Sequence, residues 1–502
     1  MKKTIPLQSS GFLSDGHDIQ TPFRVVVSCR GNDHEIKCTR VLRNLPGKRL
    51  VCGGETNGRN IVAKFFLDSK RGKTHCRREE QGLLALAQTG INTPELICSA
   101  AVDSAGRQPM LILQMLEHAI DFEKAWKSAE TDWQRAGLLK NLFSLTASMH
   151  AFGLIHKDAH PGNFMVAGGI LYAIDGGAVA IVKKGKALSP ARSIKNLAAV
   201  FAQFESAFDY LLEDAFVFYR QKRNWTPGRS YRRYLIKQIR LQRQKKEKKY
   251  FKKIYRESSV QVCSRSWNQF MVCKRKCYTR EMKTFLRHPD AFIDKGKLLK
   301  NGNSSTVALI EMDNSFFIVK RYNIKSFTHA LRRCFRVSRA WRSWKNAHRL
   351  ILLNIATPKP LAMLEYKWGS LRSKAYFITE YVHGRDAYQW FHAKENSESE
   401  IQNMASKFGQ ILKIFYHSLI THGDFKATNF IVSGDNLVVI DLDSMRSYGR
   451  AGRKFQQKLL KDCQRLLKNW ERHPFICRIF CQELEKLKFI PLSKIKLKCY
   501  EN

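Results

Sequence analysis

Two stretches of the chain, 266 positions apart, carry the same arrangement of polar residues, beginning at His156 and at His422. In each copy an Asn follows an Asp by five residues, and a second Asp follows the Asn by twelve, at the end of an apolar run. The three positions are Asp158, Asn163 and Asp175 in the first copy and Asp424, Asn429 and Asp441 in the second. A turn rich in Asp, Gly and Asn would explain one copy, whereas a matched pair favours a shared chemical role.

Phosphoryl transfer is the chemistry that needs these three groups. One carboxylate orients the attacking hydroxyl, while an Asn and a further Asp hold the metal that bridges the nucleotide phosphates. On this interpretation Asp158 and Asp424 are candidate catalytic bases. The candidate Mg²⁺ ligands are Asn163 and Asp175 in the first copy and Asn429 and Asp441 in the second.

A lysine inside a strand is the next element of this chemistry. Residues 22–67 predict short β strands separated by turns, and the last of them contains Lys64. In kinases such a lysine reaches the nucleotide phosphates and is oriented by a glutamate on the following helix. Glu80 is the predicted partner, with Glu79 as second choice. The alternative is a surface lysine whose stem packs on apolar neighbours.

The second half repeats this plan with Lys320 in a predicted strand, but one group is missing. No Asp or Glu occurs between Asp313 and Glu365, and Trp344 stands opposite Glu80 when the halves are aligned. Lys320 is therefore predicted to lack the usual glutamate. Either another group serves in its place, or catalysis in this half is weakened or lost.

The order of these segments predicts the fold class and the domains. In each half β-prone segments precede a strand that could form a hinge, and helical patterns follow. We expect an α+β protein with two tandem protein-kinase-like domains, each with a β-rich N-lobe and a helical C-lobe. The predicted boundaries are 1–219 for the first domain, 220–256 for a basic connector and 257–502 for the second domain.

The charge of the chain is strongly positive. Its 502 residues include 87 Lys and Arg against 43 Asp and Glu, a formal net charge of +44. Such an excess favours a polyanionic partner: nucleic acid, an anionic membrane surface or a phosphorylated glycolipid. Residues 220–256 hold sixteen Lys and Arg and one acid. This segment predicts a basic amphipathic helix or a solvated linker, which could bind anionic lipid headgroups, bind RNA, or only connect domains.

Cysteines and hydropathy bound the remaining classes. Of 13 cysteines, Cys263, Cys273 and Cys277 lie near one another without zinc-finger spacing, so reduced thiols in a cytosolic protein are expected. The first ten residues are too polar for a signal peptide, and no run of eighteen apolar residues predicts a membrane span. Attachment to a membrane would be peripheral.

The second half resembles the lipopolysaccharide core kinases, a bacterial family that phosphorylates heptose or Kdo sugars. The matching strings cover most of residues 250–446 and include 300–307, 319–323, 338–348, 357–361 and 422–429. The first half resembles the family more distantly, through Lys64, residues 78–80, the Thr93-Pro94 step and the set from Asp158 to Asp175.

The resemblance implies an ATP- and Mg²⁺-dependent sugar kinase with Lys64, Glu80 and Lys320 at the nucleotide. Its acceptor would be a hydroxyl of the lipopolysaccharide core or another anionic glycolipid, at the cytoplasmic face of the inner membrane of a Gram-negative bacterium. The resemblance is compatible with one of the two lobes being inactive. The alternatives are a membrane-associated pseudokinase or scaffold and a kinase with a protein acceptor, whereas nucleic acid is not the expected partner.

Overall fold

Two units, each with its own hydrophobic core, make up the chain in the computed structural model, which describes residues 19–29, 32–102, 108–226, 229–323, 337–368 and 371–488. Unit 1 consists of residues 1–204 and 210–243, and unit 2 consists of residues 205–209 and 244–502. Helices and strands are mixed in both, which confirms the predicted α and β composition. The prediction for the first ten residues lies outside the described residues.

Unit 1 contains eleven described strands and five described helices, and it also contains most of a sixth helix that ends in unit 2. The strands are β1 Phe23–Cys29, β2 Asn32–Leu45, β3 Arg49–Thr56, β4 Arg59–Phe66, β5 Leu96–Ala101, β6 Pro109–Gln114, β7 Ile120–Asp121, β8 Leu154–His156, β9 Phe164–Ala167, β10 Ile170–Ala173 and β11 Val179–Ile181. The helices are α1 Gly72–Gln88, α2 Phe122–Ser128, α3 Asp132–Ala151, α4 Pro190–Phe201, α5 Leu212–Lys222 and the shared α6 Arg229–Lys253.

Six strands of unit 1 close into a barrel in the order β1-β2-β3-β4-β6-β5. Alternate residues of β1 are buried, as the two-residue period of a strand with one solvent-facing side requires. A disulfide between Cys29 and Cys98 joins β1 to β5. The expectation of reduced cysteines is therefore wrong for this pair, although Cys38, Cys52, Cys76, Cys263, Cys273, Cys277 and Cys463 are free thiols.

Unit 2 contains twelve strands and seven further helices among its described residues. The strands are β12 Gln261–Arg265, β13 Gln269–Lys274, β14 Lys297–Gly302, β15 Ser305–Met312, β16 Ser315–Tyr322, β17 Pro360–Trp368, β18 Leu371–Glu380, β19 Arg385–Asp386, β20 Ile420–Thr421, β21 Phe430–Ser433, β22 Asn436–Val439 and β23 Arg446–Ser447. The helices are α7 Arg280–Arg287, α8 Pro289–Lys295, α9 Arg339–Leu352, α10 Ala387–Phe391, α11 Glu398–Ser418, α12 Arg453–Lys468 and α13 Pro474–Glu485.

Seven strands of unit 2 form an antiparallel sheet in the order β12-β13-β17-β18-β16-β15-β14. Both faces are covered. Phe270 and Val272 of β13 pack in the cluster that contains α9, whereas Met271 and Cys273 pack in the cluster that contains α7 and α8. Because neighbouring residues of β13 enter different cores, the strand reads as a continuous apolar run rather than an alternating one.

Long helices begin at capping boxes that fix where the helical parts start. Thr131 and Gln134 cap α3, and Ser397 and Glu400 cap α11, each pair satisfying two backbone N–H groups. Helix α11 ends at Leu419, which has a left-handed backbone (φ 55°) and leads directly into β20. This turn delivers the chain to the second of the two repeated segments.

The predicted basic segment 220–256 is largely helical. Helix α6 covers residues 229–253, and the residues just after it pack in unit 2: Tyr255 stacks on Trp341 of α9 with ring centroids 4.1 Å apart, and Trp344 Nε1 donates to the carbonyl of Ile254 over 3.3 Å. The solvated-linker interpretation is therefore wrong for this end of the segment. Within the part of the chain that the structure describes, no helix has the length and apolar character needed to cross a bilayer.

Candidate active site

The two repeated segments have the same local structure. Each follows a short strand and enters a single 3-10 turn, which leads into the hairpin β9–β10 in unit 1 and β21–β22 in unit 2. The Asn side chain of each turn donates through Nδ2 to the backbone carbonyl of the Asp five residues before it. The distance is 2.7 Å from Asn163 to Asp158 and 2.8 Å from Asn429 to Asp424. This hydrogen bond explains the five-residue spacing.

The hairpin returns the chain to the Asn, so that the second Asp comes next to it. The N–H of Ile174 donates to the carbonyl of Asn163, and the N–H of Ile440 donates to that of Asn429, each over 3.0 Å. Asp175 and Asp441 follow directly. The structure thus brings together the predicted Asp, Asn and Asp in each unit, while their catalytic roles stay predictions.

Lys64 in β4 of unit 1 is paired with Glu79, not with the predicted Glu80. Its Nζ lies 2.5 Å from Glu79 Oε1, and it also donates to the carbonyl of Ile174 over 3.0 Å. Glu80 instead accepts from Ser99 over 2.6 Å. Glu79 is fully buried on the face of α1 that also buries Leu83. Counting back one helical turn from Leu83 would have selected Glu79.

Lys320 in β16 of unit 2 has carboxylate partners although α9 supplies no glutamate. Its Nζ lies 2.5 Å from Asp441 Oδ1 and 3.4 Å from Asp443 Oδ2. Asp443 is buried and also forms an ion pair with Arg339 over 2.7 Å. Another group thus supplies the carboxylate that the helix lacks. Sequence reasoning missed Asp443 and Arg339, although Asp443 stands only two residues after Asp441.

The two units place this carboxylate on different elements. Gly177 and Asp443 each stand two residues after the second Asp of their copy. A Cβ at Gly177 would lie 3.5 Å from Glu79 Oε2. In unit 1 the turn therefore lies next to the carboxylate of the helix and contributes no side chain at this position. In unit 2 the turn carries the carboxylate. Because Glu79 rather than Glu80 pairs with Lys64, the matching position in α9 is Ser343 rather than Trp344. The hydroxyl of Ser343 lies 2.8 Å from the hydroxyl of Tyr322.

The contact between the helix and this turn has also been exchanged. In unit 1 a Cβ at Gly82 would lie 1.9 Å from the carbonyl oxygen of Gly176, so α1 approaches the turn closely only because residue 82 is glycine. The matching position in α9 is Asn346, which donates to the carbonyl of Leu442 over 2.8 Å and to that of Met445 over 3.3 Å. A side-chain hydrogen bond thus replaces a backbone approach.

The electrostatics of unit 2 favour an ionised Lys320 and Asp441. Burial acts to lower the pKa of Lys320, but the charges of Tyr322, Asp443 and Asp441 outweigh it and raise that pKa above its ordinary value. Burial acts to raise the pKa of Asp441, but Lys320 outweighs it and lowers that pKa. The backbones of the two matching Asp residues also differ. Asp441 is left-handed (φ 57°), whereas Asp175 has φ −115°. In unit 1 Lys64 contacts the carbonyl of Ile174, the residue before Asp175.

The candidate base of unit 2 has two polar neighbours. Asn429 Nδ2 donates to Asp424 Oδ2 over 3.0 Å, and Lys426 Nζ lies 3.3 Å from the same oxygen. In unit 1 the position of Lys426 is His160, whose Nδ1 accepts from the N–H of Gly162 over 3.1 Å. The cation beside Asp424 is a feature that the sequence analysis missed, although it lies within the repeated motif.

A polar side chain on a later helix holds each repeated segment. Asp462 of α12 accepts from the N–H groups of His422 and Gly423 over 2.8 and 3.0 Å, and burial raises the pKa of Asp462 to about 6. In unit 1 Asn196 of α4 donates to the carbonyl of His156 over 2.9 Å. Asn196 also forms a hydrogen bond with the imidazole ring of His150, and burial lowers the pKa of His150 to about 4. Neither group was identified from the sequence.

The donor chemistry of unit 2 fits a hard cation such as Mg²⁺. The amide nitrogen of Asn429 is turned to Asp424, so its oxygen is the end that could bind a cation together with the carboxylate of Asp441. One amide and one carboxylate are a typical protein contribution where phosphates and water complete the shell. No group of three or more His, Cys, Asp or Glu suited to a metal occurs among the described residues.

Comparison with family models gives one match in two segments. The lipopolysaccharide kinase (Kdo/WaaP) family matches residues 54–173 and 283–476, which together make up more than half of the chain. The first segment contains Lys64 and Asp158, and the second contains Lys320 and the whole set from Asp424 to Asp443. Two separate segments are consistent with a tandem member of the family. No curated protein matches the chain.

Proposed function

The chain belongs to the lipopolysaccharide kinase (Kdo/WaaP) family, and on that premise we propose that it transfers the γ-phosphate of ATP to a sugar hydroxyl of the lipopolysaccharide inner core. Membership implies lipopolysaccharide kinase activity and the use of ATP. The proposal adds Mg²⁺ as the metal, heptose or Kdo as the acceptor, and two tandem protein-kinase-like domains at 1–219 and 257–502 with the basic connector between them.

The arrangement around Lys320 carries this proposal. A lysine held by two carboxylates, beside an Asp and Asn pair that can face an acceptor hydroxyl, matches the needs of phosphoryl transfer. Lys320 would bind nucleotide phosphate, and Asp443 would keep its ammonium group in position. Asn429 and Asp441 would hold the metal, which when bound supplies positive charge to the phosphates.

Asp424 would accept the proton of the attacking sugar hydroxyl. A base of this kind must come within hydrogen-bond reach of the hydroxyl, and Asn429 fixes its orientation from one side. Lys426, 3.3 Å from the same carboxylate, would offer a positive charge to the transferred phosphate. These roles assign the chemical step to unit 2.

Unit 1 has the predicted polar set but a different lysine environment. Lys64 contacts Glu79 and the carbonyl of Ile174, and the backbone of Asp175 has φ −115°, unlike the left-handed Asp441. Lys64 thus keeps the helix glutamate that is usual in kinases. The family match in this half nevertheless ends at residue 173, before Asp175, whereas in unit 2 it covers the whole set to Asp443. The proposal therefore gives unit 1 a regulatory or structural role, and the alternative of a pseudokinase or scaffold applies to this half. The proposal for the whole chain therefore needs only one active lobe.

The decisive experiment is transfer of labelled γ-phosphate to purified, dephosphorylated lipopolysaccharide core. Asp424→Asn is expected to abolish transfer, and Asp158→Asn to leave most of it. Asp435→Asn, in the exposed turn between β21 and β22, is the matched control. Transfer retained by the Asp424 and Asp158 double variant would refute the proposal. Label on protein instead of the core would point to the protein-acceptor alternative.

We place the protein at the cytoplasmic face of the inner membrane, with anionic lipid as its partner. Six lysines between residues 245 and 253 are exposed on α6, namely Lys245, Lys246, Lys248, Lys249, Lys252 and Lys253. Each cation near an anionic surface contributes about 1 kcal/mol. Replacing all six by Gln should weaken binding to anionic vesicles and reduce its salt dependence. If the wild type bound RNA as tightly as anionic vesicles, or more tightly, at the same salt concentration, this assignment would be contradicted.

A further inference from the structure

Two tryptophans lie at the same end of the sheet of unit 2. Trp267 lies in the turn between β12 and β13, and Trp368 is the last residue of β17. Strands β13 and β17 pair with Gln269 opposite Tyr366, and the N–H of Lys367 donates to the carbonyl of Asn268 over 2.8 Å. Trp267 precedes Asn268 and Trp368 follows Lys367, so this hydrogen bond brings both tryptophans to one end of the sheet.

Both tryptophans are exposed although the strands beside them are apolar and buried. Trp267 is 67% exposed and Trp368 is 73% exposed. Further along these strands Met271 and Leu364 are buried in a core of unit 2. Two large exposed aromatics at one end of a sheet mark a contact surface more than a single exposed residue does.

The charges around this pair are positive. Arg265, at the end of β12, is exposed and lies over the ring of Phe270 at 5.1 Å, and Lys367 precedes Trp368. The acid on this part of β17, Glu365, is buried and paired with Arg372 over 3.2 Å. Its charge is thus neutralised within the protein. The end of the sheet thus combines two exposed indole rings with the cations Arg265 and Lys367.

We propose that Trp267 and Trp368 insert into the headgroup region of an anionic phospholipid bilayer. Tryptophan is enriched at this depth because its ring is apolar while its N–H can remain hydrated, and the neighbouring cations complement the negative headgroups. The inference rests on the proposed function insofar as a lipid-linked acceptor requires the protein at a membrane. It identifies a docking element separate from the lysines of α6.

The docking element is remote from the proposed chemistry along the strands. Trp368 ends β17, whereas the other end of that strand, at Pro360, lies near Thr357, whose hydroxyl donates to the carbonyl of Val439 over 2.8 Å. The eight-residue separation corresponds to about 26 Å of extended strand. Membrane contact at the tryptophans can therefore be removed by mutation without altering the residues around Asp441.

The test measures binding of the full chain to vesicles of phosphatidylglycerol and phosphatidylcholine, with brominated lipids as quenchers of tryptophan fluorescence. The Trp267→Ala and Trp368→Ala double variant should bind anionic vesicles about tenfold more weakly and lose most of the quenching. Trp133→Ala is the control, because Trp133 is 84% exposed at the start of α3 but stands alone. It should bind like the wild type.

The same variants are assayed for phosphate transfer to a lipid-free core oligosaccharide. Unchanged transfer by the double variant shows that its active site is folded, and unchanged circular dichroism serves this purpose if the wild type transfers no phosphate. Unchanged vesicle binding by the double variant, or an equal loss in Trp133→Ala, overturns the inference. The inference is also overturned if the double variant still binds vesicles but loses affinity for the oligosaccharide or no longer forms a dimer. Either result would identify a different binding partner for the tryptophans. Failure of transfer by the wild type bears on the proposed function alone.

Discussion

The Nζ atom of Lys320 lies 3.4 Å from Oδ2 of Asp443, a residue that takes the chain position held by Gly177 in unit 1. In unit 1 the corresponding lysine is paired with Glu79 of a helix. The same requirement, a buried carboxylate beside the strand lysine, is thus met from the helix in one unit and from the turn in the other. The exchange explains how α9 can lack acidic residues without leaving Lys320 unpaired.

Replacing Asp443 should impair phosphate transfer by unit 2, although this residue is not proposed to contact the acceptor. Asp443→Asn removes the charge that neutralises Lys320 and Arg339, so the two cations repel and the lysine shifts. We expect kcat/KM for ATP to fall about 100-fold, as a displacement of about 1 Å can produce. Steady-state kinetics with varied ATP measures the effect.

Two comparisons separate positioning from folding for this residue. Asp443→Glu retains the charge and should recover part of the activity, whereas Asp435→Asn should be silent because that residue is exposed in a turn. Full activity of Asp443→Asn would show that Lys320 does not depend on it.

Glu79 and Glu80 are neighbours in the sequence with opposite expected effects. Glu79→Gln leaves Lys64 and Arg49 without their buried partner and should destabilise unit 1 by about 3 kcal/mol. Glu80→Gln should change stability by less than about 0.5 kcal/mol, because its hydrogen bond to Ser99 is exposed. Urea unfolding compares the two. Equal effects would contradict the assignment of Glu79 as the lysine partner.

The raised pKa of Asp462 makes the stability of unit 2 depend on pH. Because the folded protein keeps the proton up to about pH 6, ionising this buried carboxyl costs stability. The cost is absent below about pH 4, grows from pH 4 to pH 6 and reaches about 3 kcal/mol above that range. The stability of the wild type relative to Asp462→Asn should therefore decrease as pH rises through this window.

Hydrogen exchange of the α12 amides, measured for both proteins at several pH values, follows this difference locally. Parallel pH curves would show that Asp462 does not titrate in this range. The carboxyl also accepts the N–H groups of His422 and Gly423. Exchange at these two amides should therefore be faster in a variant that removes the acceptor, such as Asp462→Ala.

Asn346 should be required for the turn that follows Asp441. Asn346→Ala removes the donor to the carbonyls of Leu442 and Met445 in a buried site. Leaving such groups unsatisfied costs about 2 kcal/mol, and the loosened turn should lower kcat about tenfold. Differential scanning fluorimetry and the transfer assay measure the two effects. Asn436→Ala, at the exposed start of β22, is the control, and identical behaviour of the two variants would contradict the role.

The sequence allowed the polar sets to be located because their spacing is local. Asp424 and Asn429 are joined by one hydrogen bond within a turn, and the second Asp follows a two-stranded hairpin. Each of these features depends on residues that are close in the chain. The strands bearing Lys64 and Lys320 were also identifiable, because a lysine within an apolar β-prone run is conspicuous.

Features that depend on packing between distant segments were not predictable. Asp462 follows Asp424 by 38 residues, and only the fold brings it to the backbone of that loop. The choice between Glu79 and Glu80 depended on which face of α1 is buried, which two adjacent acids do not reveal. The presence of Trp267 and Trp368 at the same end of the sheet depends on the register of β13 and β17, and no local pattern specifies it.

The barrel of unit 1 and the sheet of unit 2 differ in their free edges. A closed barrel has no edge strand, so the barrel of unit 1 offers less template for pairing with another chain than an open sheet does. The sheet of unit 2 ends at β12 and β14, and β14 is exposed along most of its length. Lys297 and Lys300 on that strand disfavour edge-to-edge association through charge. Replacing them with apolar residues would expose unit 2, rather than unit 1, to aggregation during synthesis.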